Sequence, residues 1–293
     1  MTVPPITSGQ EKQYKRFVED AADKALAEVG LDKDGIQKLI ENGDEFQADI
    51  VASIRQHSVS NQFAEEEVES SYGYLSGYEK PHGITEQTNR LRELFPGIGF
   101  ADEKIAEGEL PSSAEGWFAI PRWESIAPTY GEAVQKVFDK LRETRGGRFH
   151  NYREGQLDHG HLRQSKKSVK AWGRWATSKQ EGHDILVFPA QFGFLHRGRS
   201  VRRALEVMNS REFGLGAFAI GIMLLTHPER LQHFDDLWID CAGDEFSFFA
   251  GGCFEIAPYF SFRGSKLGFD TSGVGSAGGY CGSASAFVPE FGS

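Results

Sequence analysis

Apolar residues recur at helical spacing near the start of the chain and in unbroken runs towards its middle. Tyr14, Phe17, Val18, Ala21, Ala25 and Val29 line one face of a helix opening near Ser8, where Ser8 and Glu11 have capping-box spacing. Asp32 can cap a second, short helix that Asn42-Gly43 ends; Asp44 can cap a third, with Phe46, Ile50, Val51 and Ile54 on its apolar side. Three helices over residues 8–57 are therefore expected. An acidic stretch rich in Tyr and Gly, Glu65 to Gly83, reads as a connector, so residues 1–62 form a helical N-terminal region and residues 63–293 the main domain.

The main domain mixes periods. Thr85 to Phe95 predicts a helix stopped by Pro96, and Trp117 to Ile120 a short strand ended by Pro121. Ala133, Val134, Val137, Phe138 and Leu141 predict a helix, and the basic segment Leu162 to Gln180 another, with Trp172 and Trp175 three residues apart. The clearest stretch runs from Asp184 to Leu225. Ile185 to Phe188 is an unbroken apolar run suited to a strand covered on both faces, which Pro189 ends or bends. After Gly198, Val201, Ala204, Leu205 and Met208 fall at helical spacing opposite Arg202, Arg203 and Glu206, with Ser200 placed to cap. Ala217 to Leu225 is apolar again, too short to span a bilayer, and is expected to be a second core strand. Ala257 to Phe262 and Lys266 to Thr271 predict a hairpin; the tail from Ser272, rich in Gly, Ser and Ala, predicts a packed irregular cap or a mobile end. Together these define an α+β protein: a helical N-terminal region, then a mixed β-sheet domain with flanking helices.

Charge singles out one part of this domain. The chain carries a net charge of −10 over 293 residues. Yet Arg148 to Arg211 holds 13 Lys and Arg against 5 Asp and Glu, leaving 19 against 37 elsewhere. Such asymmetry marks either an anion-binding face or basic and acidic segments that pair across the fold. Three cysteines at wide spacing argue against a disulfide framework, and the N-terminal stretch has no apolar core of a secretory signal. A cytoplasmic protein that does not span a membrane is expected.

The candidate chemistry is sparse. The strand–helix loop His196-Arg197-Gly198-Arg199-Ser200-Val201-Arg202-Arg203 offers guanidinium groups that fit phosphate or carboxylate bidentately, beside a helix N-terminus. Arg197, Arg199, Ser200, Arg202 and Arg203 are the ligand-binding candidates there, and His196 the candidate acid or base; Asn151, Tyr152, Arg153, Glu154, Arg163 and Gln164 could add donors. The alternative is structural pairing, for example of Arg202 with Glu206 one turn on. The segment His227 to Glu245 crowds His, Asp and Cys, with Asp240 and Asp244 the weak alternative for a metal, but it has none of the tight ligand pairings of a metal motif. Gly30 to Glu41 mimics a calcium loop without the first carboxylate, and helix capping by Asp32 explains the same residues. Gly273, Gly275 and Gly278 match a dinucleotide fingerprint, yet too little chain follows to build the required βαβ unit. The sequence assigns no metal and points to no cofactor.

The stretches AEGWFAIPRWESIAP, NYREGQL, PAQFGFLHRGRSVRRALEV, EFGLGAFAIGIMLLTHPERL and WIDCAGDEFS resemble a family of hypothetical bacterial proteins from candidate lineages, from about Asn61 onwards. The resemblance implies a bacterial or phage-borne soluble protein and carries no activity or site residue. Two functions remain open. One is a soluble protein, enzymatic or not, that binds a phosphorylated or otherwise anionic small molecule at the arginine loop. The other is a non-catalytic interaction or assembly protein, such as a phage or virion component, whose basic segment docks an acidic protein surface or a second copy of the chain. Overall acidity and the scarcity of aromatics in the loop argue against nucleic acid as partner.

Overall fold

The computed structural model describes residues 6–30, 32–57, 62–178 and 180–288. The chain divides into two compact units, Met1–Asn61 and Gln62–Ser293. The first holds helices α1 (Ser8–Val29), α2 (Lys33–Glu41) and α3 (Gly43–His57). Of its caps, Thr7 rather than Ser8 forms the capping box with Gln10, Asp32 caps α2 as expected by accepting from the Gly35 amide, and Asp44 lies inside α3 instead of capping it. Gly30 closes α1 in the left-handed conformation, so the first place of the calcium-like loop is a helix cap. The apolar stripe of α1 stays exposed at Tyr14, Phe17 and Val18.

The second unit is α+β. In chain order it contains α4 (Ile84–Leu94), β1 (Gly116–Pro121), α5 (Tyr130–Thr144), β2 (Phe149–Asn151), β3 (Leu162–Gln164), α6 (Lys166–Ser178), β4 (Ile185–Gln191), α7 (Val201–Val207), β5 (Glu212–Gly214) and α8 (Ala217–Thr226). There follow β6 (Trp238–Asp240), β7 (Asp244–Phe246), β8 (Ile256–Arg263), β9 (Lys266–Gly273), β10 (Cys281–Ser283) and β11 (Ser285–Phe287). One antiparallel sheet has the order β1-β4-β11-β5; a mixed sheet runs β10-β6-β8-β7-β3, with β9 joining β8 to β2. The β8–β9 hairpin closes through Gly264 and Ser265, both at positive φ, the geometry a two-residue hairpin turn needs.

Strand β4 is buried at every residue, as an unbroken apolar run demands. It continues through Pro189, which was expected to end or bend it. Ladder alternation turns the Pro189 nitrogen away from β1, to the side where the Gln180 side chain stands in for a strand by bonding both backbone groups of Val187. Ala217 to Thr226 is a helix, not the second strand expected. A short continuous apolar run has no period to read, and Ala, Leu and Met favour helix. Every residue of α8 is buried, and Gly221 lets it approach Val137 of α5, where a Cβ would lie 2.6 Å from a valine methyl. The leading part of Leu162–Gln180 is strand β3 rather than helix, paired with β7.

The tail is a turn-rich loop over residues 274–280, but from Cys281 to Phe287 it is buried strand rather than an irregular cap. Its β11 lies between β4 and β5. Small side chains suit that place: a Cβ on Gly282 would collide with the Gly193 carbonyl, and Ala284 and Ala286 are fully buried. No described helix is long and apolar enough to cross a membrane. Cys241 and Cys281 are buried and Cys253 is exposed, all as free thiols.

Candidate functional site

The basic segment separates into two parts with different electrostatics. In the arginine loop, Ser200 caps α7 by accepting from the Arg203 amide, but the guanidinium groups already hold carboxylates. Arg202 makes a forked pair with Glu66, Arg199 pairs with Glu67, and Arg203 reaches Glu67 at 3.2 Å. The Ser200 hydroxyl donates to Glu66 at 2.6 Å. Arg197 bonds the Tyr72 carbonyl at 3.2 Å and lies over the Phe194 ring. The hydrogen bond from Arg202 holds the Glu66 carboxyl below the ordinary value. At Glu67 desolvation pushes upward, and the pull of Arg199 and Arg203 outweighs it. Gly198, at φ 78°, admits the backbone of Val68, whose amide bonds the Gly198 carbonyl at 2.8 Å. The close backbone approach that this glycine permits is therefore made by the chain itself. The partner expected for Arg202, Glu206, is replaced by Glu66 from the acidic connector.

His196 lies beneath this clasp, 2% exposed, with Nε2 2.7 Å from Glu212 and Nδ1 3.2 Å from Arg199. Glu212 also accepts from Ser285, so the histidine is one member of a closed polar network and presents no surface to a substrate.

Helix α6 is the other part. It carries Lys166, Lys167, Lys170 and Arg174 and no acidic residue. Among the described residues none of these four has an ion-pair partner. Two of them stand in the first turn, where the helix dipole already makes the potential positive, an arrangement that disfavours folding unless something negative sits nearby. Lys167 is held below the ordinary lysine value by desolvation, with Glu212 opposing.

Beside this turn lies a two-part cleft. The inner chamber, about 280 Å³, is walled by Trp123, Tyr130, Trp172, Phe218 and Leu186, with Arg122 and Glu124 also lining it. Adjoining it is a wider vestibule of about 1000 Å³ that reaches Arg163, Lys166, Lys167 and Glu245. Tyr130, Gln164, Trp123 and Val169 border both. Arg122 is fixed by donating to the carbonyls of His183, Ala176 and Gln180 at 2.7–3.1 Å, and Arg163 is paired with Glu245 at 2.8 Å. The lysines are thus the uncommitted charges of the vestibule. The inner chamber lies just below the size of small-molecule sites, about 300–1,000 Å³, and has their aromatic wall with few polar groups.

A buried polar knot supports the chamber. Tyr130 donates to Asp244 at 2.8 and 2.9 Å, and the first amide of α8, on Ala217, donates to the same carboxyl at 2.7 Å. Burial nevertheless raises Asp244 to about 7; Asp240, on β6, is likewise raised by burial to about 7. These are the two carboxylates weighed for a metal. The oxygens of Asp244 are occupied by Tyr130 and Ala217, and the described residues contain no group of three or more His, Cys, Asp or Glu able to hold an ion. Of the further donors suggested by the sequence, Arg153 pairs with Asp270, Tyr152 is exposed, and only Arg163 and Gln164 reach the cleft.

Trp123, Tyr130, Trp172 and Phe218 were not among the sequence candidates. The signal that could have found Trp172 is the acid-free lysine helix on which it lies, since four cations without a local partner are unusual on an acidic chain. Comparison of the chain with protein-family models, curated proteins and solved structures returns no match.

Proposed function

We propose that the protein binds a small anionic molecule with a flat apolar body, the body in the aromatic chamber and the anion at Lys166 and Lys167. The carrying observation is that the chamber shares Trp123, Tyr130, Gln164 and Val169 with a vestibule whose lysines have no ion pair among the described residues. The anionic ligand expected from the charge asymmetry is kept, but its place moves from the arginine loop, where Glu66 and Glu67 hold the arginines, to α6. Tryptophan fluorescence and calorimetry with 1-naphthyl phosphate test this. It should bind more tightly than inorganic phosphate or 1-naphthol, which each satisfy one half of the cleft. Lys166→Ala with Lys167→Ala should weaken it tenfold to a hundredfold, about 1.5–3 kcal/mol for a charge-assisted contact. Preference for benzyltrimethylammonium over naphthyl phosphate would instead make the chamber a cation cage and contradict the proposal.

A second reading, docking through the first unit to a protein or to another copy, is favoured by the apolar stripe exposed on α1 at Tyr14, Phe17 and Val18. Sedimentation across a range of concentrations tests self-association, and substitution of Phe17 by Ser should then abolish it.

A further inference from the structure

The wall between chamber and vestibule is not wholly apolar. Gln164 ends β3 and borders both spaces. Its ladder partner is Asp244, and directly opposed residues of an antiparallel pair point to the same side of the sheet. The backbone bonds of this ladder are made by the flanking residues, Ser165 to Gly243 and Ser247 to His161, so Gln164 and Asp244 form a non-hydrogen-bonded pair, and among the described residues nothing hydrogen-bonds the Gln164 side-chain amide. Three neighbouring polar groups are engaged elsewhere, Tyr130 with Asp244, Arg163 with Glu245, and Arg122 with three carbonyls, while Glu124 lines the chamber with no ion pair among the described residues. A half-buried primary amide offers two donors and an acceptor side by side, and one without a protein partner can turn them to a ligand in place of water.

Resting on the cleft reading above, we propose that Gln164 reads the edge of a heteroaromatic ring and that the ligand is a nucleoside monophosphate. Three features of the cleft correspond to three parts of such a molecule. A planar base fits a chamber whose wall carries Trp123, Trp172, Tyr130 and Phe218, because every base has a face that stacks on aromatic side chains. The adjacent donor and acceptor on a base edge match a glutamine amide, which pairs with both at once. A phosphate one sugar away reaches the vestibule, where Lys166 and Lys167 provide charge and the lining carboxylate, Glu245, is paired with Arg163. The chamber, at about 280 Å³, holds one base and not a second nucleotide. The inference therefore concerns a mononucleotide and not a strand.

The test compares AMP, GMP, CMP and UMP with 1-naphthyl phosphate on the full chain, in wild type and in Gln164→Leu. Naphthyl phosphate has the flat body and the anion but no hydrogen-bonding edge. At least one mononucleotide should bind tenfold to a hundredfold more tightly than naphthyl phosphate, the discrimination a bidentate amide contact gives. Gln164→Leu should erase that preference while naphthyl phosphate affinity is kept, which also shows that the variant folds. If naphthyl phosphate binds and no mononucleotide binds more tightly, the nucleotide inference is overturned and the cleft reading stands. If neither binds, both are overturned. A nucleotide preference that survives Gln164→Leu overturns the role given to Gln164.

Discussion

Replacing Asp244 by Asn should make the protein more stable at pH 8, by progressively less as pH falls, and leave it nearly unchanged below about pH 4. The carboxyl accepts from Tyr130 and from the Ala217 amide, both of which favour its charged form, yet burial dominates and raises it from 3.8 to about 7. Between those values the folded chain keeps a proton that the unfolded chain has released. Stability from this group is thus fully present below about 4, falls as pH rises, and is gone above about 7. The shift is roughly three units, so at about 1.4 kcal/mol per unit the ionised group costs at most about 4 kcal/mol, and relaxation around it lowers this to about 2–4. Asparagine cannot ionise, is nearly the same shape, and its amide can still accept from Ala217 and meet the Tyr130 hydroxyl. Thermal unfolding from pH 3.5 to 8.5 is the assay, read as the difference between variant and wild type. At about 2–4 °C per kcal/mol for a domain of this size, the variant should gain several degrees at the alkaline end. Asp240 contributes a slope of the same sign in both proteins and cancels in the comparison. A variant less stable by the same margin at every pH would show that Asp244 is ionised throughout and that its hydrogen bonds outweigh its burial.

Other outcomes follow from the same geometry. Glu67→Gln should cost about 1–3 kcal/mol, because Arg203, only 6% exposed, loses its carboxylate; Arg199→Ala should cost about 0–1, since that pair is partly solvated and Glu67 keeps Arg203. Denaturant titration separates the two, and equal losses would contradict the clasp as described. Gly216→Ala would drive a methyl into Asp244 and the Tyr130 hydroxyl, and calorimetry should show a loss of about 1–3 kcal/mol. A chain starting at Gln62 should unfold in one cooperative transition, because the core runs from Tyr78 to Ala286; a broad, non-cooperative melt would show that the helices of the first unit complete that core.

Much of the fold was legible because period and punctuation agreed. The hairpin around Gly264-Ser265, the buried run of β4 and the helix at Ala133 to Leu141 each carried a distinct spacing. What failed had no period to read. The run from Ala217 to Leu225 is apolar all round because α8 is enclosed on every side, and enclosure removes the stripe that separates helix from strand. The tail looked irregular because a strand wedged between β4 and β5 needs small residues, which also compose flexible ends. The site was less legible. Arginines clustered on a strand–helix loop predict anion binding equally well whether the anion is a ligand or Glu66 and Glu67, more than 130 positions earlier in the chain. The chamber draws Trp123, Tyr130, Trp172 and Phe218 from four separate segments, and only folding brings them together.

The central claim is that the ligand enters the chamber beside α6. The chain has five tryptophans, Trp117, Trp123, Trp172, Trp175 and Trp238, of which Trp123 and Trp172 line that chamber. The measurement is the indole N–H region of a ¹H–¹⁵N correlation spectrum, assigned by single Trp→Phe replacements and titrated with 1-naphthyl phosphate. The signals of Trp123 and Trp172 should move together and saturate, while those of Trp117, Trp238 and Trp175, whose indole is bonded to the Val187 carbonyl at 3.0 Å, hold still. Five unmoved signals at millimolar ligand, or a response centred on Trp238, would contradict it.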